Sequence, residues 1–258
     1  VSDQTMLVGV VVAILTAFTS LAIAIFNARS TRNLERQARE ADRADKLEER
    51  KAADKVELDL IREPLINAAL DLADRIDNMR RRRFLGTYLT SRVDHRSEIA
   101  RTSTLYRFAK YWCIVQRLYD NVTLHRLLQE DGLGPVGDML SEIAHTFASD
   151  RYDDGRFMVW RDEQRAIAEK MRTDETAEGC IGYATFAERY DDTFAQWFAS
   201  FDQDLASFDQ DLNEETAIKS GRLQTLQQNL AALVHRLDPD QAYGERWKWL
   251  MERSRGDK

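Results

Sequence analysis

The sequence is short of residues that break helices. Its 258 residues include three prolines and 11 glycines. That argues against many short strands joined by tight turns and favours long helices. Two cysteines, Cys113 and Cys180, are too few and too far apart for a thiolate metal cage. They read as two partly buried thiols on the reducing side of a membrane. His95, His125 and His235 have no partner histidine at ligand spacing. The strings G-x-S-x-G and G-x-x-x-x-G-K-[ST] are absent, so neither a nucleophile elbow nor a phosphate-binding loop is encoded. No arginine precedes a histidine at the gap used by helical ribonucleases of the HEPN type. Charge is missing altogether from Met6 to Phe26, and neither lysine nor arginine stands before that run.

Net charge is −7, unevenly placed. Residues 142–215 carry 7 basic and 19 acidic groups, a local −12, while 1–140 and 216–258 are slightly positive. Phosphate must be met by cations, so the acidic middle gives no nucleic-acid footprint, and no nucleic-acid partner is expected.

The uncharged run of 21 residues spans about 31 Å as a helix, matching a hydrocarbon core of about 30 Å. Ala22-Ile23-Ala24 has the form of a leader cleavage site. A leader, however, wants a cationic start and a shorter apolar run, and Asp3 is the only charge before this one. The run is therefore predicted to be a single transmembrane helix with membrane lipid as its surroundings. Arg29, Arg32, Arg36 and Arg39 follow it directly, and the positive-inside rule places the C-terminal part in the cytoplasm and residues 1–5 outside. Gly9, Ala13, Thr16, Ser20 and Ala24 recur at helical spacing along one face, which allows close approach of a second helix and predicts self-association.

From Asn27 to about Leu60 the chain is charged all round. Glu35 with Arg39 and Asp42 with Lys46 stand four apart, which supports an exposed helix. No apolar heptad is sustained, so this segment is predicted to be a stalk rather than a strong coiled coil. Beyond it, Leu58, Ile61, Leu65, Ala69, Leu72, Ile76 and Met79 form an apolar stripe, with Pro64 as a kink or restart and Gly86 as a stop. Further stripes run through Leu105, Phe108, Trp112, Val115, Leu118 and Val122, and through Met139, Leu140, Ile143 and Phe147 after Pro135. Others cover 160–171 and 184–212. The last, through Leu223, Leu226, Leu230, Leu233 and Leu237, is closed by Asp238-Pro239.

The expected fold is all-α: tail 1–5, transmembrane helix 6–26, stalk helix 27–60, helical domain 61–237 and amphipathic tail 238–258.

Three motifs invite chemistry and decline it on inspection. Gly132-Leu-Gly-Pro-Val-Gly137 has the dinucleotide-fingerprint spacing, but a helix-like stretch precedes it and Pro135 suits a helix first turn. Glu142 and His145 have the di-iron E-x-x-H spacing without a second copy, so they read as a helix surface pair. "SFDQDLA" at 200–206 recurs as "SFDQDLN" at 207–213. It lacks the glycine and the distal glutamate of a calcium loop and reads as a helix with a solvated acidic face. No metal or cofactor is expected. The run Arg80, Arg81, Arg82 and Arg83 occupies a full helical turn, so at least one guanidinium must approach the apolar face. The others could meet acidic lipid headgroups, a partner's carboxylates or the domain's own acids.

The segments "REPLINAALDLADRI", "STLYRFAKYW" and "WRDEQRAIAEKM" resemble those of bacterial single-span membrane proteins with a helical cytoplasmic domain, over about residues 55–240. The resemblance implies a bacterial inner-membrane location and a helical domain, and nothing about a substrate. The functional expectation is a membrane-anchored, non-enzymatic scaffold that forms a homo-oligomer or binds a protein partner. The alternative is a membrane-perturbing effector whose spans cluster on activation.

Overall fold

Apolar side chains recurring every three or four residues must meet a partner surface, and here the helices supply it to one another. The computed structural model describes residues 37–49, 62–80, 84–88, 95–121, 134–152, 155–207, 221–238, 241–244, 248–250 and 252. Among these the chain is all-α, with one isolated antiparallel bridge between Arg172 and Cys180. The predicted span 6–26, its association face and most of the stalk lie outside the described residues. No helix among the described residues is long and apolar enough to cross a membrane.

The chain divides into two units, Val1–Leu58 and Asp59–Lys258. In the first, α1 (37–49) is exposed at every residue. The expected pair forms there: Lys46 Nζ lies 2.7 Å from Asp42 Oδ2. Both side chains are mostly solvated, so the pair is worth only a few tenths of a kcal/mol.

The second unit contains α2 (62–80), α3 (Phe84–Tyr88), α4 (His95–Asn121), α5 (Gly134–Ala148), α6 (Arg161–Met171), α7 (Tyr183–Glu188), α8 (Ala195–Ser207) and α9 (Gly221–Leu237). Every described residue of the predicted α2 stripe, from Leu65 to Met79, is buried, as are the five predicted leucines of α9. Arg62 donates to the Leu237 carbonyl and Arg80 to the Gln227 side chain, so α2 and α9 run antiparallel. α4 packs on α6, and α5 packs on α9. Between them Phe108, Trp112, Phe147, Phe198 and Phe201 form an aromatic cluster, with ring centroids 4.7 to 6.4 Å apart. Such edge and offset contacts add about 0.5–1.5 kcal/mol each beyond burial.

Two expectations are corrected. Gly86 does not stop a helix; it lies inside α3. The long helix expected over 184–212 begins at Tyr183 and carries a π-turn at Tyr190–Phe194. The cause is visible in the stripe Phe186, Tyr190, Phe194 and Phe198, all buried. At 3.6 residues per turn a spacing of four drifts about 40° per step. The wider turn takes up that drift and keeps all four rings on the core.

The repeat is corrected as well. Phe201 and Leu205 are buried as expected, but the aspartates between them are not simply solvated. Asp202 pairs with Arg101 through both carboxylate oxygens and accepts from the Tyr190 hydroxyl. Asp204 accepts the Phe157 N–H at 2.7 Å. Phe208, Asp209, Asp211 and Leu212 lie outside the described residues.

Candidate functional site

Of the arginine run, only Arg80 is described, and it turns inward. It is buried and donates to Gln227 Oε1 at 2.7 Å, while Gln227 Nε2 donates to Asp77. One guanidinium is thus taken up by the apolar side, as four successive positions require. Arg81, Arg82 and Arg83 lie outside the described residues. Glu142 and His145 are both exposed on α5. No group of three metal-ligating side chains occurs among the described residues.

The cysteine expectation fails. Cys113 and Cys180 are joined as a disulfide, with Cα atoms 6.4 Å apart. Sequence could not show this, because 67 residues separate them and the pairing depends on how the loop after α6 folds back. That loop is held on α4 by a stripe of i, i+3 and i+7. Lys110 pairs with Glu178 at 2.7 Å, Cys113 bonds Cys180, and Arg117 donates to the Glu178 carbonyl. Gly179 makes the close approach possible. Its φ is +65°, and the Arg117 guanidinium occupies the space a Cβ would need.

Two more buried arginines differ sharply in their surroundings. Arg222, fully buried at the start of α9, has all five N–H groups matched to backbone carbonyls. Nε donates to Arg156 at 2.8 Å, Nη1 to Thr146 and Phe147 at 2.7 and 2.9 Å, and Nη2 to Ser149 and Tyr152 at 2.7 and 3.3 Å. Thr146 and Phe147 belong to the last turn of α5, where carbonyl dipoles favour a cation. Arg75 is also buried, but its only hydrogen bond among the described residues is a long one to Ser103, and it stacks on Phe84 at 4.2 Å. Nε and Nη1 find no partner among the described residues. Burial, and then the nearby Arg107 charge, lower its pKa to about 10.

The sign of that shift gives a prediction. A base whose folded pKa is depressed makes folding unfavourable while it is charged, and the penalty fades as pH rises through about 10. Replacing the charge with an apolar side chain of similar length is often neutral or stabilising. Arg75→Met is therefore expected to keep or raise the urea midpoint at pH 7, with any advantage shrinking above pH 10. A loss of more than about 1 kcal/mol would show that the Phe84 stack outweighs desolvation.

A cleft of about 550 Å³ opens between α4, α5 and α6. Each helix gives it one stripe at helical spacing: Trp112, Val115, Gln116 and Tyr119 from α4; Gly137, Asp138, Ser141 and Ala144 from α5; Arg161, Gln164, Arg165 and Ala168 from α6. The opening exists because α5 turns its small residues towards it. Gln164 Nε2 bridges the Ala144 and Val159 carbonyls at 3.2 and 2.8 Å, fixing how α5 and α6 sit together. The Glu163 carboxylate accepts the Trp160 N–H at 2.8 Å, which sets the start of α6 and hence Arg161. Arg161 Nη2 donates to the Ser141 carbonyl at 3.2 Å. Among the described residues Arg165 has only a loose, exposed approach of 3.8 Å to Asp162. Burial raises the Tyr119 pKa against the opposing Arg161 charge, so its phenol stays neutral. Sequence reading missed this cleft. The signal was present as two arginines four apart on α6 and small residues on α5, but nothing local says that those faces meet.

Compared with protein-family models, with curated proteins and with solved structures, the chain matches none.

Proposed function

We propose that this protein is a membrane-anchored, non-enzymatic interaction protein of a bacterial inner membrane. In this reading 6–26 is a single span, 27–60 is a charged stalk, and the helical domain 61–237 binds a further copy or a partner protein on the cytoplasmic side. The observation that carries it is α1. The described part of the stalk is helical, exposed at every residue and grouped apart from the domain. A helix polar on all faces, following an uncharged 21-residue run, suits a spacer between a bilayer and a folded unit. The non-enzymatic part is supported by where polar groups go: Arg80, Gln164, Arg222 and Gln227 are spent on internal hydrogen bonds.

The protein is expected to stay in the membrane fraction after an alkaline carbonate wash. Cross-linking in native membranes is expected to give a ladder that Gly9→Leu with Ser20→Leu reduces. Release into the supernatant would overturn the anchor, and a purely monomeric pattern would overturn the association face.

The disulfide favours a second reading of topology alone. Such bonds persist on oxidising sides of membranes, whereas the cation run after 26 favours the cytoplasm. A reporter fused after Lys258, active on one side only, decides between the two.

A further inference from the structure

We infer that the cleft between α4, α5 and α6 binds a small organic monoanion with an aromatic or hydrocarbon body. The inference adds to the anchored reading and does not depend on it.

The volume, about 550 Å³, falls within the range of roughly 300–1,000 Å³ typical of small-molecule sites. One wall is apolar. Trp112 and Val115 from α4, Ala144 from α5 and Ala168 from α6 supply it, a surface suited to a flat ring or a short chain. The cations of the lining both come from α6. Arg161 and Arg165 stand one turn apart on α6, so both guanidiniums can address one oxyanion group. Their own partners leave them available, because Arg161 is oriented by a neutral carbonyl and Arg165 only brushes an exposed carboxylate. Asp138 is the only acid lining the cleft among the described residues. Two arginines against one aspartate leave a single positive charge, which matches a monoanion better than a dianion.

The test uses the purified full chain in mild detergent and equilibrium dialysis against 2-naphthoate, with a detergent blank. Saturable binding of one naphthoate per chain is expected. The uncharged 2-naphthamide should bind at least about tenfold more weakly, because it loses the charge-assisted contacts. Arg161→Gln with Arg165→Gln should weaken naphthoate by a similar factor while leaving the amide unchanged. Ser141→Trp, at an exposed position of the wall, should abolish both.

Naphthoate uptake no greater than the blank would overturn the inference. So would equal binding of acid and amide, or tighter binding of 2-naphthylmethylammonium, which would make Asp138 the recognising charge. The amide and ammonium arms use the unaltered protein, so they decide even if a variant unfolds.

Discussion

Arg222→Met is expected to destabilise the domain by about 3–5 kcal/mol, the range for breaking a buried charged network. The guanidinium answers five backbone carbonyls at once, from the end of α5 through Tyr152 to Arg156. Methionine fills the space and offers no donor. The Phe147 and Tyr152 carbonyls keep the N–H groups of Val159 and Gly155, while each buried carbonyl left without a partner costs about 1–3 kcal/mol, partly relieved if water enters. The same segment carries a strained residue. Phe157 holds a left-handed φ of 55° with its ring buried and its N–H on Asp204, so it cannot relax cheaply when the clamp is lost. Arg222→Lys separates charge from geometry. An ammonium keeps the cation but reaches at most three acceptors and cannot span the fork. It should recover about half of the loss. Urea denaturation followed by circular dichroism measures both. A methionine variant within 1 kcal/mol of the parent would show that the five bonds only compensate the cost of burying the cation. Arg75 provides the contrast: also buried, poorly matched, and expected to be dispensable.

Reducing the Cys113–Cys180 bond is the second large effect. It closes a loop of 67 residues, and the chain-entropy relation assigns such a loop about 4 kcal/mol. For a domain of this size that corresponds to roughly 10 °C in Tm. The native contacts should survive at low temperature. The loop is also held by Lys110 on Glu178 and by the Thr176 hydroxyl, which accepts the Cys180 N–H and donates to the Cys180 carbonyl. The expected result is therefore a lowered midpoint with unchanged far-ultraviolet circular dichroism at 20 °C. Cys180→Ala should behave like the reduced parent and be insensitive to reductant. A midpoint that does not move with reductant would mean that the two sulfurs pack without stabilising the fold. The thiol state in intact cells, read by alkylation before lysis, also bears on topology, because a bond present in cells indicates an oxidising side.

The sequence by itself determined the helices and their inward faces. Leu65 to Met79, Leu105 to Leu118 and the α9 leucines are legible because helical periodicity is a property of neighbours within two turns. It also located the end of α9, where Asp238 turns its buried carboxylate onto the N–H groups of Ala242 and Tyr243, and it foretold that one arginine of the run must face inward. Only the tertiary structure decided what those faces meet. The disulfide, the Arg222 clamp and the cleft each join residues far apart in the chain. The clamp depends on which way backbone carbonyls point at the end of α5, which no side-chain pattern encodes. Composition made Asp202 and Asp204 look solvated, and only the approach of α4 and of the loop at Phe157 converted them into internal partners. Burial, a non-local quantity, separates a solvated charge from one that holds the fold together.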